Sequence, residues 1–206
     1  MRTMSSKRSK ALTVAGSLMI AAAAALALFN HVQDVESGKR AKDISERIKS
    51  VIVSNAQDEV IYQIPTEAEA EEFAEAPGLD LDGIEWIGLL EIPSLEIELP
   101  VSRDCNYDYM KSGLCRYSGN AARGDMIVCG HNYKSFLQNL SDISEGDEVY
   151  FTDCSGRTYK YEVSEVQLIG GWDRDELFDD ADDWQLTVFT CNYSGYSRFV
   201  VRCVAV

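Results

Sequence analysis

The sequence predicts a mostly β protein, and three observations support this fold class. Short runs rich in β-branched and aromatic residues recur from about residue 83 to the C-terminus, separated by Gly, Pro, Asn and Asp. Only two brief segments of this region, residues 107–112 and 133–140, have a helical pattern. About 125 residues are enough to enclose one hydrophobic core. We therefore expect a closed barrel or a sandwich of short strands.

A basic and then apolar N-terminus precedes the β-rich region. Four Lys and Arg residues and no acid lie in residues 1–10, and residues 11–29 are uncharged. This apolar run is close to the roughly 20 residues that span a bilayer, and the flanking positive charge predicts a cytoplasmic N-terminus. A cleaved signal peptide is the alternative, because residues 25–27 have the small-x-small pattern of a cleavage site. Both interpretations place the rest of the chain outside the cytoplasm.

A charged connector joins the apolar segment to the β-rich region. Its first part, residues 30–54, is mildly amphipathic and predicts a helical stalk. The second part is rich in Ala and Glu, a composition that indicates a solvated linker. The predicted organisation is therefore a cytoplasmic tail (1–10), a membrane anchor (11–29), a stalk and acidic linker (30–82) and a β-rich domain (83–206).

Acidic residues dominate the composition, and the formal net charge is −15. An acidic surface repels phosphate backbones, which argues against nucleic acid as a partner. A calcium site and a solvated loop both fit the acidic segment formed by Asp173, Asp175, Asp179, Asp180, Asp182 and Asp183, and we favour the loop. We predict no metal site and no cofactor.

Eight runs account for the predicted strands. Two of them flank a turn at residues 153–156 and predict a hairpin. Pro100 restricts the run that contains it to a sheet edge or a strand end. The runs are residues 84–91, 96–101, 125–129, 148–152, 158–163, 166–169, 185–190 and 199–206.

Six cysteines are scattered through the β-rich region without a CxxC pair: Cys105, Cys115, Cys129, Cys154, Cys191 and Cys203. Three of them lie inside apolar runs, where a cysteine commonly acts as a small buried hydrophobe. A bridge between Cys105 and Cys115 across a short loop is one arrangement that the spacing allows. Zinc is not predicted, because ligand-type spacing is missing and histidine is scarce.

Histidine and cysteine at predicted strand ends are the candidate catalytic groups. The chain contains two histidines, and His131 is the one in the β-rich region, directly after an apolar run. Cys191 ends a later run, and Arg198 begins the next one. Each residue alone has an ordinary structural explanation. If the last two strands pair, however, Cys191 and Arg198 lie at one end of the sheet, where His131 can face them.

Several motifs, in this order, resemble the sortase family of cysteine transpeptidases. IGLLEIPSLEIELPV is similar to the first strands of those enzymes, and Gly130-His131-Asn132 matches the segment with the family histidine. TVFTC, ending at Cys191, resembles the TLxTC signature with Val in place of Leu, and Arg198 matches the family arginine. The resemblance extends from about residue 84 to residue 206. It implies a closed eight-stranded β-barrel with short helices.

The resemblance also implies a mechanism. Cys191 is expected to attack an LPxTG-like sorting signal and form a thioacyl intermediate, with His131 as general acid and base and Arg198 as the stabiliser of substrate or oxyanion. Asn132 and Thr190 are expected to contact the substrate. The acceptor is expected to be an amine of a cell-wall precursor or a pilin, and the enzyme is expected at the cell membrane with its catalytic domain outside.

The resemblance leaves class B-like and class D sortases as alternatives. Two other functions also remain open. An exported cysteine protease or hydrolase uses the same Cys191 and His131 with water as acceptor. A membrane-tethered binding domain without catalytic activity fits if all six cysteines form disulfides.

Overall fold

Strands account for about half of the described residues beyond residue 78. The computed structural model describes residues 6–55, 61–62, 75–171, 175–178, 183–192 and 195–206. These ranges contain ten strands, namely β1 (Ile61–Tyr62), β2 (Leu79–Leu81), β3 (Ile84–Ile92), β4 (Ile97–Ser102), β5 (Leu114–Ser118), β6 (Met126–Gly130), β7 (Glu148–Asp153), β8 (Thr158–Gly170), β9 (Leu186–Cys191) and β10 (Ser197–Ala205).

Helices are fewer and mostly short. The described residues contain one long helix, α1 (Ser6–Asn55), and one turn of helix, α2 (Asp175–Phe178), between β8 and β9. The remaining helical segments are 3₁₀ turns, at Pro93–Leu95, Tyr109–Lys111, Ala121–Arg123 and Gln138–Asp142.

Eight of the strands close into a barrel. Going round the barrel, the order is β3, β4, β5, β6, β9, β10, β8 and β7, and β7 pairs again with β3. Two neighbouring pairs, β4 with β5 and β6 with β9, are parallel, and the other six pairs are antiparallel. Closure leaves the main strands without free edges. The predicted mostly β fold, and the eight-stranded barrel that the resemblance implies, are confirmed.

The barrel interior is filled by aliphatic and aromatic side chains. Leu90, Val128, Tyr161, Val188 and Val201 are fully buried and belong to one continuous cluster. Burial of an aliphatic side chain of this size stabilises a fold by about 1.5–3 kcal/mol. The two parallel partners at the centre of the sheet, β6 and β9, are buried along almost their whole length, because both of their faces are covered.

The sequence placed most of the barrel strands correctly, with two corrections. The runs predicted as separate strands at 158–163 and 166–169 form a single strand, β8. Ser164 and Glu165, which separate the two runs, lie where the register of β8 with β10 shifts. They mark a β-bulge rather than a strand end. Strand β5 was not predicted, because its five residues include an arginine and a serine and lack an obvious apolar alternation. The short strands β1 and β2, inside the segment predicted as stalk and linker, were not predicted either.

The two predicted helical segments are only partly helical. Residues 107–112 contain the 3₁₀ turn Tyr109–Lys111, and residues 133–140 overlap the 3₁₀ turn Gln138–Asp142. Of the predicted acidic segment, Asp175 begins α2 and Asp183 is exposed, while Asp173, Asp179, Asp180 and Asp182 lie outside the described residues.

The first part of α1 exposes apolar side chains. Leu18, Met19 and Ile20 are 66%, 73% and 72% exposed, respectively. Within the described ranges, α1 is the one helix that is long and apolar enough to cross a membrane. Residues 1–36 form one compact unit and residues 37–206 form the other.

The last part of α1 packs on the barrel. Ile48 is fully buried and lies in a cluster with Leu81 and Trp86. At the helix surface, the Lys49 ammonium lies 2.7 Å from a Glu98 carboxylate oxygen, and both side chains are more than a third exposed. An exposed pair of this kind contributes little, so the apolar contact of Ile48 holds this part of α1 in place.

Truncating Ile48 therefore tests the docking of α1 on the barrel. Ile48→Ala is expected to lower the free energy of unfolding by about 2–4 kcal/mol, because a buried cavity replaces the side chain. Urea unfolding of the full chain in detergent micelles, followed by tryptophan fluorescence, measures this change. Val53→Ala is the matched control, since Val53 is 75% exposed on the same helix. A loss for Ile48→Ala no larger than that for Val53→Ala contradicts the docking.

Candidate active site

Two strands place a histidine and a cysteine at the same end of the barrel. Strands β6 and β9 are parallel neighbours, and Gly130 of β6 is the register partner of Thr190 of β9. The next residues along the two strands are His131 and Cys191. Because parallel strands carry their carboxyl ends to one edge, the register brings these two residues side by side.

A side-chain hydrogen bond secures this register at its last pair. The hydroxyl of Thr190 donates to the carbonyl oxygen of Gly130 at 2.9 Å. Thr190 is only 3% exposed, so the bond forms where water does not compete. The bond therefore links the two strands one residue before the histidine and the cysteine.

The arginine predicted from sequence lies opposite the cysteine. Arg198 of β10 is the register partner of Cys191 of β9. Directly opposite residues of an antiparallel pair point to the same face, with Cβ atoms about 4.5–5.5 Å apart. The loop between the strands is short: the Asn192 amide donates to the Ser197 carbonyl at 3.0 Å, and Gly195 takes a positive φ of 72°. The hairpin therefore places Cys191 and Arg198 on the same face at one end of the sheet.

The Arg198 guanidinium is only loosely held. Its Nη1 lies 3.4 Å from the carbonyl oxygens of Gly195 and Ser197, the upper limit for a hydrogen bond. Within the part of the chain that the structure describes, no carboxylate forms an ion pair with it. The half-buried guanidinium can therefore turn toward a new acceptor at little energetic cost.

A glycine lets the end of β8 approach this arginine. The Gly171 amide donates to the Tyr196 carbonyl at 2.8 Å. A Cβ atom at Gly171 would lie 2.7 Å from that oxygen and 3.2 Å from Nη1 of Arg198. Any larger residue would push the arginine or its loop aside. Gly171 was not identified from the sequence, because a single glycine after a strand carries no distinguishing pattern.

Two tyrosines enclose the histidine. The ring of Tyr107 meets the His131 ring edge-on, with centroids 4.8 Å apart, and the Tyr133 ring lies 4.9 Å away on a tilted plane. The backbone of Tyr107 is also hydrogen-bonded to the imidazole. Tyr107 comes from the loop between β4 and β5, far from His131 in sequence, and no motif identified it beforehand.

Burial sets the protonation behaviour of His131. Loss of solvation lowers the pKa of the imidazole below its usual value, and the nearby Lys111 ammonium acts in the same direction. The hydrogen bond to the Tyr107 backbone and the nearby Cys115 act against this shift. Nε2 of His131 is buried and has no hydrogen-bond partner among the described residues. The free nitrogen is thus available for proton transfer.

Asn132, which was also predicted to contact the substrate, lies next to His131. Its side-chain oxygen is buried without a hydrogen-bond partner in the described ranges. All six cysteines are free thiols, including the partly exposed Cys191, so the Cys105–Cys115 bridge that the spacing allows is not formed in this structure.

A family model identifies the chain. The model of the sortase domain matches residues 90–206, more than half of the sequence. The chain belongs to the sortase family. Sortase A of Bacillus anthracis is 27% identical to this sortase over 125 residues, which are 58% of this chain and 59% of that protein. This sortase therefore spans about three fifths of the length of that relative.

Solved sortase structures share the fold. A sortase D5 transpeptidase of Clostridium perfringens superposes with a TM-score of 0.59 at 19% identity, covering 82% of this chain and 99% of that chain. Sortase C of Streptococcus pneumoniae superposes with a TM-score of 0.55 at 15% identity, covering 80% and 96% of the two chains. The likeness at these identities establishes the barrel architecture.

The packing of Tyr107 predicts how His131 titrates. We expect a His131 pKa below 6.5 in the wild type and a value closer to 6.5 in Tyr107→Ala, because removing the ring returns water to the imidazole. NMR titration of histidine-labelled full chain in micelles measures this. The second histidine is assigned by its loss in His31→Gln.

Tyr150→Ala serves as the control for the Tyr107 substitution. It removes a tyrosine from β7, on another part of the barrel, and is expected to leave the His131 pKa unchanged. A His131 pKa that does not move in Tyr107→Ala contradicts the assigned cause. Because the His131 pKa is lower in the folded protein than in the unfolded chain, protonation of His131 favours unfolding. The His131 contribution to the free energy of unfolding is therefore fully present above the pKa of the unfolded chain and is lost as the pH falls through the lower pKa of the folded protein.

Proposed function

We propose that this sortase is a membrane-anchored cysteine transpeptidase that cuts an LPxTG-like sorting signal and transfers the released acyl group to an amine. The placement of His131 and Cys191 at matched ends of parallel strands, with Arg198 opposite the cysteine, carries the proposal. A nucleophile, an acid–base group and a cationic hydrogen-bond donor in one place are the minimum for acyl transfer.

The first half of the reaction forms a thioester. The Cys191 thiolate attacks the carbonyl carbon of the bond between Thr and Gly, and the negative charge moves to the carbonyl oxygen. The Arg198 guanidinium donates a hydrogen bond to that oxygen. His131, as the imidazolium, gives its proton to the departing amine. The carbon–nitrogen bond breaks, the sorting-signal acyl group remains on the Cys191 sulfur, and His131 is left neutral.

The second half transfers the acyl group. An acceptor amine attacks the thioester carbon, and neutral His131 takes the proton that the amine loses. The carbon–sulfur bond breaks, which restores the thiolate and the imidazolium. A cell-wall precursor or a pilin is the acceptor we propose. The lowered pKa of His131 suits this half most, because the neutral imidazole is the required base.

Secondary contacts complete the proposed site. We propose that Asn132 binds the substrate, since its buried side-chain oxygen lacks a hydrogen-bond partner among the described residues. The Thr190 hydroxyl is bonded to Gly130, so we propose that it acts on the substrate through the alignment of the strands. The weak hydrogen bonds of Arg198 support its turning toward a bound carbonyl.

The proposed membrane topology follows the charge pattern. We propose residues 1–10 as the cytoplasmic tail, 11–29 as the anchor, 30–82 as the stalk and linker, and 83–206 as the extracytoplasmic catalytic domain. The exposed apolar surface of the first part of α1 supports the anchor. In this topology, the barrel meets exported proteins that carry sorting signals.

Intact-mass spectrometry tests the reaction. The full chain in micelles is incubated with LPxTG-type peptides, with and without hydroxylamine or a short amine. We expect an acyl adduct on Cys191, an amine-exchanged product, and loss of both in Cys191→Ala.

Arg198→Lys is expected to lower kcat/KM by about 10²–10³-fold, because the planar donor pair is lost.

Arg123→Lys is the control for the arginine substitution, since Arg123 is exposed and paired with Asp125 away from the site. It is expected to leave kcat/KM unchanged. Cleavage with water as the only acceptor contradicts a transpeptidase and supports a cysteine protease. The absence of adduct and product across varied sorting signals, with Cys191 shown to be a free thiol, contradicts the proposed substrate class.

A further inference from the structure

Three thiols meet beside the active site without a role in the proposed reaction. Cys115 of β5 and Cys129 of β6 are register partners on neighbouring strands. Cys105, from the loop after β4, brings its sulfur to 3.5 Å from the Cys129 sulfur. These three residues, called the thiol cluster below, combine one loop with two barrel strands.

The thiol cluster has one accessible and two inaccessible members. Cys105 is exposed, whereas Cys115 and Cys129 are 0% and 5% exposed. Around them lie a thioether and a carbonyl: the Cys129 sulfur is 3.9 Å from Sδ of Met110, and the Cys115 sulfur is 3.7 Å from the Asn106 carbonyl oxygen. A reagent in solution can therefore reach the cluster only through Cys105.

The three thiols of the cluster differ in pKa. Hydrogen bonds from Cys105 first, and from Cys129 second, lower the pKa of the Cys115 thiol. The interaction with Cys115 raises the pKa of Cys105. Cys115 is thus the member of the cluster that loses its proton most readily, whereas hydrogen bonds with Cys105 and Cys115 raise the pKa of Cys129. Because Cys115 is buried, the exposed Cys105 is still the thiol that an oxidant in solution reaches first, and it reacts as the thiolate.

We propose that Cys105 and Cys129 form a disulfide bond that fixes Tyr107 against His131. The two sulfurs need to approach by about 1.5 Å to reach bonding distance. Rotation of the exposed Cys105 side chain and a small shift of its loop supply this movement, while Cys129 stays in the barrel wall. The bond is a covalent modification site beyond the proposed transpeptidation.

The chemistry is thiol–disulfide exchange with a disulfide oxidant, such as oxidised glutathione. The Cys105 thiolate attacks one sulfur of the oxidant, which releases one thiolate and leaves a mixed disulfide. The released thiolate takes the proton of Cys129, and the Cys129 thiolate attacks the Cys105 sulfur, which breaks the mixed disulfide and releases the second thiolate. That thiolate takes up a proton from solvent, equivalent to the one that Cys105 gave up before its attack. The two protein thiols lose two electrons and two protons, and the oxidant becomes two thiols.

Other pairings within the thiol cluster fit less well. Cys115 and Cys129 are both buried in the barrel wall, so an oxidant in solution does not reach either of them first. A bond between Cys105 and Cys115 would close the loop on itself and leave β6 unattached. The short distance between Cys105 and Cys129 instead joins the loop to the strand that leads to the histidine.

The proposed Cys105–Cys129 disulfide lies close to both Tyr107 and His131. Cys105 lies two residues before Tyr107, and Cys129 lies two residues before His131. Tyr107 packs on the imidazole at 4.8 Å and is hydrogen-bonded to it through its backbone. A covalent link so close to both partners restricts the loop that otherwise could leave the histidine uncovered.

Mass and melting measurements on the full chain in micelles test the bond. A Cys191→Ala background removes the reactive nucleophile. Oxidised glutathione is expected to lower the mass of the reduced protein by about 2 Da, with peptides linked through Cys105 and Cys129. The closed loop of about 25 residues is expected to raise Tm by roughly 5–10 °C.

Three serine substitutions make the test specific. Cys105→Ser and Cys129→Ser are each expected to abolish the Tm difference between oxidised and reduced protein. Cys154→Ser, at a buried thiol in the separate cluster with Trp86, is expected to keep the difference. A stable glutathione adduct on Cys105, a link to Cys115 instead, or a Tm unaffected by oxidation overturns the proposal.

The histidine signal tests the second part of the proposal. Oxidation is expected to shift the His131 NMR resonances in the Cys191→Ala protein and to leave them unchanged when Cys129→Ser is added. A Cys105–Cys129 link without any effect on His131 overturns the coupling to Tyr107. None of these readouts requires peptide turnover, so they stand apart from the test of transpeptidation.

Discussion

The parallel pairing of β6 with β9 is the contact on which the candidate site depends. Five residue pairs, from Met126–Leu186 to Gly130–Thr190, fix the register, and the Thr190 hydroxyl strengthens the last pair. Because side chains alternate between the faces of a strand, a slip of one residue would turn Cys191 away from its present side. Such a slip would also move the apolar side chains of both strands out of the core. Core packing and site geometry therefore select the same register.

The barrel strands and the surrounding loops contribute differently to the candidate site. The barrel wall carries Cys191 and the peptide that leads into His131, so the distance between them varies little. Loop residues surround these two side chains. Tyr107 packs on the imidazole, and Nη1 of Arg198 lies 3.4 Å from a carbonyl oxygen of the loop. Burial lowers the pKa of His131 and favours its neutral form. The imidazolium that the first half of the proposed reaction needs is thus the scarcer form, which the enzyme must draw from a small population.

Much of the fold and of the site could be predicted from the sequence, because local patterns encode them. Alternating apolar runs marked seven of the eight barrel strands, and motifs beside strand ends indicated Cys191, His131 and Arg198 as candidate site residues. The remaining features depend on long-range contacts that leave no local pattern. Tyr107 reaches His131 from another loop, Ile48 becomes buried only when α1 docks, and Cys105 meets Cys129, which lies 24 residues further along the chain. Strand β5 gains its stability from its two neighbours and not from its own composition.

Alkylation of Cys191 as a function of pH tests most directly whether β6 and β9 bring the thiol and the imidazole together. The rate is followed with iodoacetamide in the wild type and in His131→Gln, and peptide mass spectrometry separates Cys191 from the other five cysteines. We expect an inflection at the lowered pKa of His131 in the wild type and its loss in His131→Gln. Superimposable profiles for the two proteins would show that the imidazole does not act on the Cys191 thiol.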